Sequence, residues 1–300
     1  MANNGSTPRG GALVTGAGRG LGLEIARVLA ARGHTVHVTD IDGEAAASAA
    51  AELGDGAFSS VLDVRDEAAC RAAAAMTAER AGSLEVWVNN AGVLVTGRSW
   101  EHDERSRRLM LEINAVGTMN GTLAALELMR PAGRGHVVNV VSLAGLVAAP
   151  GEAVYSASKH AAIAFSLGTL SDLRPAGIRG IDISCVCPDG IWTPMLHDKL
   201  DDPEAAASFC GVLLLPEQVA ARVAHVLDHP RPVLTIPRWR GALARTFDRW
   251  PRLALRAAAP VLAYGRVQQR AFKRKVDTGR WPPQRGTSAA ARRPPARSIG

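Results

Sequence analysis

The chain has 300 residues, 47% of them hydrophobic and 21% charged, which is typical of one globular domain with or without an appendage. No apolar run reaches the roughly 18 residues of a membrane-spanning helix, and the N-terminus lacks the apolar stretch of a secretory signal. The net charge of +7 divides unevenly, because residues 231–300 carry 17 basic residues against two acidic ones, whereas residues 1–230 have a balance of −8. We therefore expect a cytoplasmic protein with a mildly acidic body and a basic tail.

Short β-branched segments alternate with longer Ala-rich segments along the body. Seven segments are predicted strands, at residues 11–16, 35–40, 57–63, 84–92, 135–142, 181–188 and 231–237. Six are predicted helices, at residues 20–32, 43–53, 66–81, 101–130, 152–174 and 216–229. This alternation predicts an α/β fold of the Rossmann-like, doubly wound type, a parallel sheet of seven strands with helices on both faces. In such a sheet ligands bind beyond the carboxyl ends of the strands.

A glycine-rich turn follows the first predicted strand. Four glycines lead from Thr15 into an amphipathic helix: Gly16, Gly18, Gly20 and Gly22. Glycines let the backbone approach a pyrophosphate closely, and a helix N-terminus offers unpaired amides with a partial positive charge. The turn could also be only a tight connection, but an acid some 20 residues later favours a dinucleotide site.

That acid is Asp40, at the end of the second predicted strand. Its carboxylate can accept hydrogen bonds from an adenosine ribose and would repel a 2′-phosphate. It could instead be a turn or cap acid, a role that is equally open to Asp42. Arg19 in the glycine turn would favour a 2′-phosphate, but no basic residue follows Asp40. We therefore expect NAD as the cofactor, with NADP the less favoured one.

Tyr155 and Lys159 stand four residues apart in a segment with helical composition. Side chains at this spacing lie on the same face of a helix. An ammonium close to a phenol favours the phenolate and lowers its pKa, which would suit proton transfer at neutral pH. The spacing alone leaves open a solvated surface pair.

With three motifs in order, the chain resembles the short-chain dehydrogenase/reductase family over about residues 10–237. "TGAGRGLG" at 15–22 is similar to the family's TGxxxGxG cofactor turn, "NNAG" at 89–92 to its motif after the fourth strand, and "YSASK" at 155–159 to its YxxxK. The resemblance implies an NAD(P)-dependent oxidoreductase that interconverts an alcohol and its ketone by hydride transfer.

The resemblance also implies four catalytic residues. Tyr155 would exchange a proton with the substrate oxygen, and Ser142, 13 residues earlier, would hydrogen-bond that oxygen. Lys159 would lower the pKa of Tyr155 and donate to the nicotinamide ribose, while Asn114 would position a water that links Lys159 to solvent. Taken singly, Ser142 could be a helix cap and Asn114 a satisfied polar core residue.

The cofactor contacts implied by the resemblance extend over the whole body. They are Gly16, Arg19, Gly20, Leu21, Gly22, Asp40, Ile41, Asp63, Val64, Asn90, Ala91, Gly92, Tyr155, Lys159, Pro188, Gly190, Ile191 and Thr193. Asp63 and Val64 resemble the pair that contacts adenine, and Thr193 resembles the threonine that holds the nicotinamide carboxamide. The family usually has Pro-Gly after the sixth strand, whereas this chain reads Pro188-Asp189-Gly190.

Residues 191–215 fall where the family has its substrate lid. Apolar side chains there would favour a bulky hydrophobic alcohol or ketone over a charged sugar or hydroxy acid: Ile191, Trp192, Met195, Leu196, Phe209, Leu213, Leu214 and Leu215. The alternative is that they only pack the lid against the body.

We divide the chain into a flexible N-terminus (1–10), a catalytic domain (11–237), a basic amphipathic extension (238–280) and a disordered tail (281–300). Pro251 and Pro260 are expected to interrupt the extension. Its Arg, Trp and Leu residues suit an anionic membrane surface, which would make the protein peripheral on the inner face of a membrane. An oligomer arm or lid element stays open, and nucleic acid is the least favoured partner.

The four cysteines show neither metal-ligand spacing nor a disulfide framework, so we expect buried thiols and no metal site. We also expect a homodimer or homotetramer. A non-catalytic, cofactor-binding scaffold of the same fold is the alternative to an enzyme. Retention of all four catalytic residue types favours the enzyme.

Overall fold

The computed structural model describes residues 9–281, and our expectations for residues 1–8 and 282–300 lie outside this range. Seven parallel strands form one sheet in the order β3-β2-β1-β4-β5-β6-β7. The strands are β1 (Arg9–Thr15), β2 (His34–Asp40), β3 (Ala57–Val61), β4 (Leu84–Asn89), β5 (Gly135–Val140), β6 (Ile181–Pro188) and β7 (Val233–Ile236). The predicted fold is confirmed, although Arg9 and Gly10, expected in the N-terminal segment, already belong to β1.

The described helices include every one that the sequence predicts. They are α1 (Gly20–Ala31), α2 (Gly43–Leu53), α3 (Glu67–Ala81), α4 (Glu104–Leu111), α5 (Gly117–Ala132), α6 (Ala153–Leu173), α7 (Pro194–His197), α8 (Pro216–Asp228), α9 (Arg238–Arg249) and α10 (Pro251–Asp277). A π-helical turn, Glu112–Val116, joins α4 to α5. Two 3-10 segments lie at Leu143–Gly145 and Pro203–Phe209.

Apolar layers cover both faces of the sheet. One layer packs Ile25 and Leu29 of α1 with Val223 of α8 against β1 and its neighbours. The other packs Met129 of α5 and Leu173 of α6 against the opposite face. Each fully buried side chain of this kind contributes about 1.5–3 kcal/mol. The continuous hydrophobic strands of the sequence are explained by this two-sided burial.

A buried polar network fixes α6 relative to the sheet. Asn89 at the end of β4 donates from Nδ2 to Oδ1 of Asn139 on β5 at 2.8 Å. Asn139 donates in turn to Oγ of Ser166 on α6 at 2.7 Å. Because unsatisfied buried amides are costly, each bond constrains the next. The network anchors the middle of α6, whose first turns carry Tyr155 and Lys159.

The C-terminal extension forms two helices. Pro251 separates them as expected, since α9 ends at Arg249 and Pro251 takes the first helical position of α10, where its missing N–H costs nothing. The expected break at Pro260 is wrong, because α10 continues through this exposed residue. Within residues 9–281, no helix has both the length and the apolar character needed to cross a membrane.

Candidate active site

The glycine turn has the geometry of an anion cradle. Gly16 and Gly20 both have φ of +61°, in the left-handed region that glycine adopts without strain. A Cβ on Gly22 would lie 2.3 Å from the carbonyl oxygen of Gly16, so only glycine lets α1 approach the end of β1 this closely. Leu21 is buried beneath the turn. The first turn of α1 carries no acidic residue, which leaves its amides and positive dipole end suited to a phosphate.

Asp40 lies beside this turn, and Asp42 performs the capping role that we considered for both. The backbone N–H of Ala45 donates to Oδ1 of Asp42 at 3.1 Å, which caps α2. The Asp40 carboxylate instead accepts from the N–H of Gly18 at 3.0 Å. Ile41 is 63% exposed next to it and offers an apolar surface to a flat ring, while Arg19 is also exposed. This arrangement fits an adenosine ribose.

Asn90 supports the groove from inside. It donates from Nδ2 to the carbonyl oxygens of Thr15 and Gly16, both at 2.9 Å. The N–H of Ala91 donates to Oγ1 of Thr15 at 3.0 Å. The Asn90 amide therefore fastens the glycine turn to β4, and any effect of this side chain on a cofactor is indirect.

Asp63 and Val64 follow β3 at the same edge. Arg65 forms a salt bridge with Asp63 at 2.6 Å, and its hydrogen bond lowers the pKa of the Asp63 carboxyl. Val64 is buried, and its carbonyl oxygen accepts from Nδ2 of Asn120 at 2.9 Å. The pair therefore forms the end of the groove, with a charged carboxylate at its rim.

The four predicted catalytic residues converge at the carboxyl edge of the sheet. Ser142 follows β5, and its hydroxyl is close enough to Tyr155 to oppose the rise of the Tyr155 pKa. Lys159 Nζ lies 5.7 Å from the centroid of the Tyr155 ring. Asn114 and Lys159 both lie next to Gly92, since a Cβ on Gly92 would lie 3.1 Å from Oδ1 of Asn114 and 3.5 Å from Lys159 Nζ. The solvated surface pair that the spacing left open does not occur, because Lys159 is buried.

Asn114 lies in the π-helical turn, and its side chain makes three hydrogen bonds. Its Oδ1 accepts from the N–H of Val93 at 2.9 Å, while Nδ2 donates to the carbonyl oxygen of Val93 at 2.9 Å and to Oγ of Ser158 at 3.0 Å. The side chain therefore ties α6 to the loop after β4.

The family is decided by a profile match across the body. The sequence profile described as short chain dehydrogenase matches residues 11–204 of the 300-residue chain. The chain belongs to the short-chain dehydrogenase family. It is accordingly an oxidoreductase.

Relatives of this short-chain dehydrogenase include proteins with named alcohol substrates. Cyclopentanol dehydrogenase of Comamonas testosteroni is 37% identical over 206 residues, which cover 68% of this chain and 81% of that protein. 2-(R)-hydroxypropyl-CoM dehydrogenase of Xanthobacter autotrophicus is 36% identical over 221 residues, covering 71% and 82%. A crystal structure of a short-chain dehydrogenase/reductase from Burkholderia phymatum in complex with NAD superposes with a TM-score of 0.74 at 26% identity, covering 83% of this chain and 96% of that one.

The electrostatics of the Tyr155 and Lys159 pair in this short-chain dehydrogenase differ from our expectation. Burial raises the pKa of Tyr155, the nearby Glu152 carboxylate raises it further, and the hydrogen bond from Ser142 opposes the shift. Burial lowers the pKa of Lys159 to about 8. Lys159 Nζ donates to the carbonyl oxygen of Val140 at 3.2 Å. In this geometry the ammonium is bonded to β5, and the net shift of the Tyr155 pKa is upward.

Glu152 is a residue of the site that the motifs did not indicate. It is 3% exposed, and Oγ of Ser208, in the lid, donates to its Oε1 at 2.5 Å. Burial raises the pKa of the Glu152 carboxyl to about 7. Its position three residues before Tyr155, on the same side of the helix start, is the sequence signal that could have revealed it.

The cysteines and acids of the described residues form no metal centre. The four cysteines are free thiols, and between residues 9 and 281 no group of three His, Cys, Asp or Glu side chains could hold a metal ion. Cys187 lies close to the Ser142 backbone and Lys159. Burial raises the pKa of the Cys187 thiol, so this wall of the site is uncharged.

The lid uses its apolar side chains for packing. Trp192, Leu196, Phe209 and Leu213 form a buried cluster with Phe272 of α10 and with Trp281, whereas Met195 is 38% exposed. Gln269 of α10 also donates from Nε2 to the carbonyl oxygens of Lys199 and Asp202, both at 2.7 Å. These contacts favour the packing alternative for the lid residues, and they show the extension as an element that covers the lid.

Glu152→Gln is expected to shift the pH profile of alcohol oxidation to lower pH. Above about pH 7 the Glu152 anion disfavours a Tyr155 phenolate, and the neutral amide removes this repulsion while it can still bond Ser208. The rising limb of kcat/KM for oxidation should move down by on the order of half a pH unit.

Ser208→Ala is the matched control, because it removes the hydrogen bond and keeps the carboxylate. In Ser208→Ala the rising limb of kcat/KM for oxidation should stay at the wild-type pH. An unshifted limb in Glu152→Gln would show that Glu152 does not influence proton transfer at Tyr155.

Proposed function

We propose that this short-chain dehydrogenase interconverts a neutral, hydrophobic secondary alcohol and its ketone, with Tyr155 as general acid and base and NAD as the preferred cofactor. The observation that carries the proposal is the convergence of Tyr155, Ser142 and buried Lys159 beside the glycine turn. When bound, the nicotinamide supplies the acceptor or donor of the hydride.

The residues around the groove fit a dinucleotide. The amides at the start of α1 and the turn at Gly16 and Gly20 suit the pyrophosphate. Asp40 suits the adenosine ribose, and exposed Ile41 suits the adenine. Thr193 approaches from the opposite side, since a Cβ on Gly20 would lie 3.6 Å from Cγ2 of Thr193.

Tyr155 is protonated at neutral pH, because its pKa is raised, and this state suits ketone reduction. The phenol donates its proton to the substrate oxygen as the carbonyl carbon receives a hydride, and Ser142 donates a hydrogen bond to the same oxygen. In the reverse direction the alcohol loses its carbinol hydrogen as hydride and its hydroxyl proton to the Tyr155 phenolate. Oxidation should therefore gain from rising pH.

The charges near Tyr155 favour a neutral substrate. Glu152 is a buried carboxyl beside Tyr155, and its negative form would repel a carboxylate or phosphate on the substrate. Leu94, Val95 and Val147 are partly buried apolar residues in the loops after β4 and β5. Similarity to a cyclopentanol dehydrogenase supports a cyclic or bulky secondary alcohol as the first substrate to test.

Tyr155→Phe should lose nearly all turnover and keep cofactor affinity, because only the phenolic proton is removed. A loss of about 10²-fold or more in kcat/KM is expected for a general acid. Tyr264→Phe is the matched control, since Tyr264 is the second tyrosine of the chain and is 53% exposed on α10. A Tyr155→Phe enzyme that retains a tenth of wild-type kcat/KM would exclude Tyr155 as the acid and base.

Asp40→Ala should narrow or reverse a preference for NAD over NADP, because it removes both the ribose acceptor and the repulsion of a 2′-phosphate. The ratio of kcat/KM with NAD to that with NADP should fall about tenfold or more. Asp42→Ala is the control, because it removes a charge two residues away that caps α2. Wild-type kcat/KM that is higher with NADP would contradict the proposal and implicate Arg19.

The extension supports a second proposal, a peripheral association with anionic membranes. Leu253, Tyr264 and Val267 are 49%, 53% and 61% exposed on α10, and residues 238–281 carry twelve basic residues against two acidic ones. Exposed Arg252 and Arg256 lie on the same helix. Basic residues beside exposed apolar ones suit a headgroup region.

Charge reversal tests this surface better than truncation, because removal of α10 would also remove Phe272 from the lid cluster. Arg252→Glu with Arg256→Glu should weaken pelleting with phosphatidylserine vesicles about tenfold or more, at about 1 kcal/mol per basic residue. The exposed Arg108 and Arg105 of α4 provide a double-reversal control. If the α10 variant and the α4 control pellet equally with the vesicles, the proposal is refuted. If the α10 variant instead differs from wild type in native mass, this face binds another copy of the chain.

A further inference from the structure

Asp189 occupies the position where the family usually has glycine, and its side chain joins three segments. The carboxylate is 8% exposed. It accepts from the N–H of Gly190 at 3.1 Å, from the N–H of Val212 at 3.0 Å and from Nε of Arg240 at 2.9 Å. These donors belong to the loop after β6, to the end of the lid and to α9. A single carboxylate thus connects all three.

The end of the lid is built around this carboxylate. A Cβ on Gly211 would lie 1.9 Å from Oδ2 of Asp189, so no other residue fits there without movement. Leu214 donates from its N–H to the Gly190 carbonyl oxygen at 2.8 Å and accepts from the N–H of Trp192 at 2.8 Å. The loop and the lid therefore run side by side as a short parallel bridge.

Arg240 reaches Asp189 from a firmly placed helix. On α9 a Cβ at Gly241 would lie 2.2 Å from Oγ1 of Thr235, so the helix packs closely on β7. The Arg240 guanidinium also lies 5.6 Å from the ring of Trp239, and the Arg240 side chain is only 21% exposed. Loss of either partner would leave a largely buried charge without its counterion.

We infer that Asp189 and Arg240 are positioning residues for the cofactor, which hold residues 188–193 in place so that the C-terminal extension sets cofactor affinity. The inference rests on the proposed function, with Pro188, Gly190, Ile191 and Thr193 as the cofactor contacts that the family resemblance implies. The chain departs from the Pro-Gly motif at Asp189 and carries the additional helix α9. The two features act together, because Arg240 of α9 binds the Asp189 carboxylate.

Near-isosteric variants test the pair. Arg240→Gln and Asp189→Asn remove the charge and keep the approximate size, and each should raise the dissociation constant of NADH, followed by fluorescence, about tenfold. The double variant should bind no more than about twofold more weakly than the worse single variant, because coupled residues are not additive. Arg238→Gln, two residues earlier and exposed on the same helix, should bind as wild type.

A positioning role should be visible in the kinetics. The KM for the cofactor should rise in Arg240→Gln while kcat at saturating cofactor falls less than about threefold, and Arg240→Lys, which keeps the charge, should recover part of the affinity. If Arg240→Gln does not fold, Arg240→Lys carries the test, with an intermediate dissociation constant expected.

The outcomes separate the inference from the proposed function. Wild-type protein that binds neither NADH nor NADPH would overturn the proposed function itself. Wild-type protein that binds NADH, with Arg240→Gln and Arg240→Lys binding equally well, would overturn the inference alone. Additive losses in the double variant would also contradict it, since they would show that the two side chains act separately.

Discussion

The parallel arrangement of the seven strands is the constraint on which the site depends. A parallel strand needs a crossover, so every strand ends at the same edge of the sheet and every loop of the site starts there. The glycine turn follows β1, Asp40 ends β2, Ser142 follows β5 and Asp189 follows β6. Gly20 and Thr193, 173 positions apart, meet only because this edge is common to them.

Burial determines the chemistry of that edge. Helix α6 is held by the buried amides of Asn89 and Asn139, which place its first turns against β5. Lys159 is thereby buried and Tyr155 partly buried, and for both side chains this favours the neutral form. The same burial makes Glu152 a weak acid beside Tyr155. Under the proposed function, proton transfer would therefore depend on three titratable groups, Glu152, Tyr155 and Lys159, whereas the motif names two.

The fold and the convergence of the four candidate catalytic residues could be predicted because their signals are local. Strand and helix segments are read from periodicity, and the Tyr155 and Lys159 pair from a four-residue spacing. The direction of the Tyr155 pKa shift could not be predicted from the sequence, because it depends on burial and on the nearby Glu152 carboxylate. The contact of Asp189 with Arg240 could not be predicted either, because it joins residues 51 positions apart. Pro260 was misleading because it is exposed on α10, where water can hydrogen-bond the backbone carbonyl that lacks the proline N–H as a partner.

Titration of Tyr155 itself tests this account most directly. The chain has two tyrosines, so protein labelled with ¹³C at tyrosine Cζ should give two signals within residues 9–281, and Tyr264→Phe assigns them. The account predicts that Tyr155 in the cofactor-free protein titrates above the ordinary value of about 10, and that Glu152→Gln lowers its pKa. A Tyr155 signal that titrates at or below about 10 in the cofactor-free protein would contradict it.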